Sequence, residues 1–183
     1  MISSKGFPFF YQHDSMDCGP ACLRMIAKYY GRHYTIESLR QKCHISREGV
    51  SMLGISNAAE DIGFKTIGVH ISYAQFKEEV PFPCIVHWRQ NHFIVVYKIK
   101  DTVFVADPAS GLIKYTKKEF LDGWISRKGD SDEGIALLFE PQPEFYSVDG
   151  EKPDKAKFSF ILQYLKPYKK LVLQLFIGML IGT

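Results

Sequence analysis

The stretch Gln12-His13-Asp14-Ser15-Met16-Asp17-Cys18-Gly19-Pro20-Ala21-Cys22 carries most of the chemistry in this chain. Pro20 fits a first helical position, which puts Cys18 at the mouth of a helix. There the positive end of the helix dipole favours thiolate over thiol, and with a histidine partner such a cysteine titrates roughly between 3.5 and 7.5. A thiolate is a nucleophile, and Gly19 beside it leaves room for a substrate backbone to approach. Gln12 offers a neutral amide donor that, with the Cys18 backbone N–H, could hold the oxyanion of a tetrahedral intermediate. The bland alternative for Cys18 is a small buried hydrophobe, the commoner fate of a lone cysteine. Cys22, one turn further on, continues an apolar stripe and reads as core. A zinc site would need two more ligands at recognisable spacing, and Cys43-His44 is the only other close pair, so no metal is expected.

A thiolate nucleophile needs a base. Of six histidines, His92 opens the most apolar strand pattern, Asn91-His92-Phe93-Ile94-Val95-Val96-Tyr97, where a side chain at the strand mouth can reach a cleft. His13 and His33 fall in loop-like segments, and His44, His70 and His87 have ordinary solvated or sheet-face readings. If His92–Ile99 and Thr102–Asp107 pair around a two-residue tip, Lys100-Asp101, then Ile94 lies opposite Asp107. His92 is then on the same face as Asp107 and diagonal to it, at about 7–8 Å between backbones, within reach of an imidazole–carboxylate bond. An odd loop or a bulge would send the two side chains to opposite faces. Asp107-Pro108 is also a turn starter, a role compatible with orienting His92. Asp101 sits at the tip and is too distant, while Asp14 and Asp17 are loop or capping residues.

These residues are positioned by a helical first third and a strand-rich remainder. Cys22, Met25, Ile26 and Tyr29 recur at helical spacing before Gly31, and two further helices are expected over Thr35–Cys43 and Ser51–Ile62, with Gly63 as a stop. From Phe64 the period changes to two. Further strands are expected at Cys84–Trp88, His92–Ile99, Thr102–Ala106, Leu112–Tyr115 and Ile135–Phe139. Short helices follow Ser72 and Thr116, the latter opened by a Thr116–Glu119 capping box. Helices first and an antiparallel sheet later is an α+β order.

At 183 residues the chain is long enough for one ordinary domain and an appendage. Its 14 Phe, 10 Tyr and 2 Trp, with 46% apolar and 23% charged residues, exclude disorder and a plain coiled coil. The net charge of +3 divides into +4 on residues 151–183 and −1 on residues 1–150. The near-neutral globular part lacks the basic face of a nucleic-acid binder, so no nucleic-acid partner is expected. The N-terminus carries no secretory signal pattern, and four cysteines in a chain kept in a reducing compartment default to free thiols. Pro141, Pro143, Gly150 and Pro153 mark a boundary near 145. Residues 146–170 read as a linker with a basic Lys166–Lys170 end, and 171–183 as the truncated start of a first transmembrane helix, favoured over an amphipathic tail packed on the domain because a basic cluster before an apolar run marks the cytoplasmic side.

Gln12, Asp17-Cys18-Gly19-Pro20-Ala21-Cys22-Leu23, Asn91-His92-Phe93 and Asp107-Pro108, in this order, resemble the double-glycine leader peptidase domain at the N-terminus of ABC transporters that export bacteriocins and related peptides. The likeness covers about residues 7 to 140. It implies a papain-like fold, with Cys18 as nucleophile, His92 as general base and acid, Asp107 as its orienter and Gln12 as oxyanion donor. It also implies hydrolysis of a precursor's leader after a Gly-Gly pair at the cytoplasmic face of the cell membrane, with the leader's amphipathic helix in an apolar groove. The partners implied are the membrane-spanning and ATP-binding parts of the transporter. ATP is expected only there, since this segment has no phosphate-binding loop of the Gly-x-x-x-x-Gly-Lys-Ser/Thr kind and no cofactor of its own. Two other readings share these residues: a catalytically silent docking module, which would lack the nucleophile, and an acyl- or amide-transferring enzyme.

Overall fold

The computed structural model describes residues 6–45, 49–127 and 132–147, together with Gln174, Gly178 and Met179. The chain divides into Met1–Lys152 and Pro153–Thr183. All of the transmembrane start expected at 171–183 but Gln174, Gly178 and Met179, and nearly all of the 146–170 linker, lie outside the described residues.

Three helices come first. A 3-10 turn, Ser15–Asp17, is capped by Asp14, whose Oδ1 accepts the Met16 N–H at 3.2 Å. This preformed turn lets α1 (Cys18–Tyr29) begin two residues before Pro20, the start expected from sequence. Pro20 is tolerated as the third residue because N–H groups of a first helical turn have no partner within the helix. α2 (Ile36–Lys42) is capped by Thr35 and α3 (Met52–Asp61) by Ser51, each hydroxyl accepting a backbone N–H three residues on.

The remainder builds a seven-stranded antiparallel sheet: β1 (Phe64–Ser72), β2 (Cys84–Trp88), β3 (His92–Ile99), β4 (Val103–Asp107), β5 (Gly111–Tyr115), β6 (Ile125–Arg127) and β7 (Glu133–Pro141). Their spatial order is β1-β7-β2-β3-β4-β5, with β6 paired to β7. α4 (Tyr73–Glu79) and α5 (Lys117–Trp124) are the short helices expected after Ser72 and Thr116, both opened by capping boxes. β6 was not expected, since three residues carry too little pattern to show a period.

Strand alternation splits the apolar residues between two cores. Phe93, Val95, Ala106 and Leu137 pack with Leu23, Met25, Ile26, Leu39 and Ile55 of α1–α3. Val86, Ile94, Val96 and Val105 pack with Phe76 of α4 and Phe120 and Trp124 of α5. The sheet thus has helices on both faces. A last turn, α6 (Pro143–Ser147), adds the fully buried Phe145 to the first core, its ring tilted against Phe64 with centroids 4.3 Å apart.

Candidate active site

The β3–β4 hairpin decides whether His92 and Asp107 meet. Its tip holds three residues, not two: Ile99 pairs with Val103, and the Lys100 N–H donates to Thr102 O at 3.0 Å. Alone, that odd loop would put His92 and Asp107 on opposite faces. A bulge at Tyr97 offsets it, since the register steps between Lys98↔Phe104 and Val96↔Val105. Val95 then lies opposite Ala106, the register expected from sequence. The Tyr97 ring stacks on Phe7 at 4.5 Å, so the N-terminal segment anchors the bulge.

His92 Nε2 stands 2.8 Å from Asp107 Oδ1. The same oxygen accepts the Ala109 N–H at 2.9 Å, and the Ser110 N–H donates to Asp107 O at 3.0 Å. The Asp107-Pro108 turn therefore also fixes the carboxylate. An ionised carboxylate only accepts hydrogen bonds, so Nε2 donates and Nδ1 is left for the sulfur. Burial favours neutral His92, but its bonds to Asp107 and Cys18 and the charges of both outweigh this and push the imidazole up to about 9. Burial likewise works against ionised Asp107. The bonds from His92, Ala109 and Ser110 prevail and hold it below the usual carboxylate range.

Cys18 reaches this pair from the first residue of α1, and 4% of its surface stays open. The Cys22 thiol donates to Phe93 O at 3.3 Å, fastening α1, one turn beyond Cys18, to the strand that begins with His92. The other three cysteines are desolvated thiols. Burial drives Cys22 and Cys84 far up and pushes Cys43 up to about 12. Cys22 is core, as expected.

Gln12 joins the site through its backbone, whose N–H donates to Pro108 O at 2.9 Å, just after Asp107. Its carboxamide oxygen is buried without a hydrogen-bond partner.

Gly19 has a different purpose from the one expected. A Cβ there would fall 2.5 Å from Val50 Cγ1 and 2.7 Å from Ile55 Cδ1. The missing side chain admits the α3 side of the core, not a substrate backbone. Sequence reasoning also missed Trp88. It pairs with His92 across β2–β3, is 4% exposed, and stacks on Tyr115 at 5.3 Å, forming a dry wall beside the pair. A Cβ on Gly123 of α5 would stand 2.4 Å from the indole. The available signal was an aromatic four residues before a strand-opening histidine.

A helix-borne thiol facing a strand-borne imidazole across the join of a helical layer and an antiparallel sheet places this chain among the papain-like cysteine peptidases. Residues 6–144 match the model of the Peptidase C39 family, and the chain belongs to that family. It is 36% identical over 141 residues to the lactococcin-G-processing and transport ATP-binding protein LagD of Lactococcus lactis subsp. lactis, covering 74% of this chain and 19% of that protein. It is 32% identical over 141 residues to the colicin V secretion/processing ATP-binding protein CvaB of Escherichia coli, covering 76% and 19%. The chain thus spans about a fifth of the length of such relatives. Among solved structures, a double glycine motif protease from an AMS/PCAT transporter, in complex with the leader peptide, superposes with a TM-score of 0.68 at 31% identity, covering 77% of this chain and 97% of that one. The peptidase domain of Streptococcus ComA gives 0.66 at 29%, covering 75% and 100%.

Proposed function

We propose that this domain removes leader peptides from precursors by hydrolysis after a Gly-Gly type pair, coupled to their export by an ABC transporter. The observation that carries the reading is His92 held between the Cys18 sulfur and Asp107, 2.8 Å from the carboxylate, in surroundings that favour its protonated form. A thiolate–imidazolium pair is the reactive form for acyl transfer. The Cys18 sulfur attacks the scissile carbonyl, and the carbonyl oxygen takes the negative charge between the Cys18 N–H and the Gln12 amide. As the C–N bond breaks, His92 gives its proton to the leaving amine, leaving a thioester. His92, now neutral, takes a proton from water, whose oxygen displaces the sulfur and frees the new carboxyl end. Asp107 holds the ring in one tautomer and stabilises the imidazolium. None of these steps needs a cofactor.

The leader-bound relative and the peptide-processing relatives support the substrate class. A slot too narrow for a Cβ would select glycine on the acyl side. Tyr11 and Leu112, 65% and 51% exposed, flank Gly111 near Gln12 and Asp107 and supply apolar surface suited to one face of an amphipathic leader. In the same reading the domain lies at the cytoplasmic face of the membrane, residues 171–183 begin a membrane-spanning segment, and membrane-spanning and ATP-binding parts are its partners. Assembly of all three catalytic groups disfavours the silent docking module.

The test is incubation with double-glycine precursors and weighing of the fragments. Wild type releases the leader at the glycine pair, and Cys18→Ala, folded by circular dichroism, releases none. Full turnover by Cys18→Ala overturns the reading.

A further inference from the structure

The residue directly before the nucleophile is a carboxylate with no access to solvent: Asp17 is 0% exposed. A buried charge is kept only when it is paired and hydrogen-bonded. Asp17 Oδ2 accepts the Asp14 N–H at 3.2 Å. Its Oδ1 lies 3.1 Å from Arg40 Nε, within ion-pair distance but out of line for a hydrogen bond. Arg40 belongs to α2, and its side chain is 43% exposed, so the guanidinium spans water and the buried carboxylate.

Asp17 is also the N-cap of α1, yet its side chain makes no capping bond to that helix. It turns back onto the 3-10 turn and shapes the corner from which Cys18 projects. That has an electrostatic cost. A helix N-terminus carries roughly half a positive charge, and a full negative charge one residue from the sulfur would cancel it. Arg40 supplies the opposite sign at the same place.

The ionisable groups facing Cys18 come from β3, β4, α1, the 3-10 turn and α2. His92 on β3 touches it, and Asp107 on β4 stands behind His92. Cys22, one turn along α1, is held as a neutral thiol by burial. The Asp17–Arg40 pair, with Asp14 beside it, lies on the α2 side. His92 and Asp107 together leave the sulfur one proton-bearing partner, so the α2 side decides whether a further negative charge is felt.

We propose that Arg40 is a positioning residue for the nucleophile: acting through Asp17, it offsets the charge of the carboxylate that builds the Cys18 corner and so preserves the positive field of the helix N-terminus at the sulfur. This rests on the reading of Cys18 as the nucleophile.

The test is the rate of Cys18 alkylation by iodoacetamide against pH, on the full chain, with the modified residue located by peptide mass. Arg40→Gln moves the midpoint up by about one pH unit, the lower end of the effect of a close charge. Arg40→Lys restores most of the shift. Asp17→Asn with Arg40→Gln returns the midpoint to that of wild type, even where thermal stability stays lower. A midpoint unchanged in folded Arg40→Gln, or equally raised in the double variant, overturns the proposal and leaves a structural pair. Should Arg40→Gln fail to fold, Asp17→Asn alone must lower the midpoint, since Arg40 is then unopposed; no fall overturns the proposal. Alkylation needs no peptide, so failure of double-glycine cleavage and failure of this proposal are read separately.

Discussion

At the residue scale, His92 answers to two neighbours, and its titration reports on both. Burial alone would leave the ring neutral near pH 7, whereas the bonds to Asp107 and Cys18 keep it protonated up to about 9. If the reactive form is thiolate–imidazolium, kcat/KM holds through neutral pH and falls as pH rises through about 9. Asp107→Asn keeps a similar shape but removes the charge. Its alkaline limb is expected to slide towards 6.5, the ordinary histidine value, with about a 10²–10⁴-fold loss of rate. An alkaline limb that stays put in this variant would remove Asp107 from the mechanism. Gln12 makes a different demand, because an oxyanion donor acts only once the charge forms. Gln12→Ala should lower kcat by about 10²–10³-fold with little change in KM. A raised KM at constant kcat would make Gln12 a substrate-binding residue instead.

At the element scale, the β3–β4 hairpin shows why the His92–Asp107 pair was legible and its route was not. His92 and Asp107 could be put on one face by counting, because side-chain parity depends only on the summed irregularities of the two strands. The count assumed an even tip, whereas the chain uses an odd tip and a bulge at Tyr97. The bulge is set by tertiary contact with Phe7, which no local pattern announces. The same holds for α1. Its apolar stripe predicted its existence and its Gly31 end, but its start depends on a 3-10 turn stabilised by Asp14 and Asp17. Gly19 was read as open space for substrate because α3 was invisible beside it. Gly19→Ala drives a methyl into Val50 and Ile55, and overpacking of this kind costs about 1–3 kcal/mol. Urea denaturation should show a lower midpoint at unchanged slope. An unaltered midpoint would mean that the two side chains yield freely, and an intact fold with abolished cleavage would revive the substrate-approach reading.

At the scale of the whole molecule, the His92–Asp107 pair is also part of what holds two halves of the fold together, since α1 packs against β3 there. Its contribution to stability depends on pH in a definite sense. The His92 part is fully present below its unfolded value of about 6.5 and is lost as pH rises through about 9, the folded value. The Asp107 part is present above its unfolded value of about 3.9 and is lost as pH falls through its lowered folded value. Both parts are in force between about pH 4 and 6.5. Within that window wild type should exceed Asp107→Asn most in unfolding free energy, and the gap should narrow, by the His92 part, as pH is raised to 10. Fluorescence-monitored urea titrations of both proteins at pH 5.5, 7.5 and 10 measure it directly. A gap that is constant from pH 5.5 to 10 would mean that Asp107 stabilises the fold through its Ala109 and Ser110 turn alone, with the imidazole adding nothing to folding.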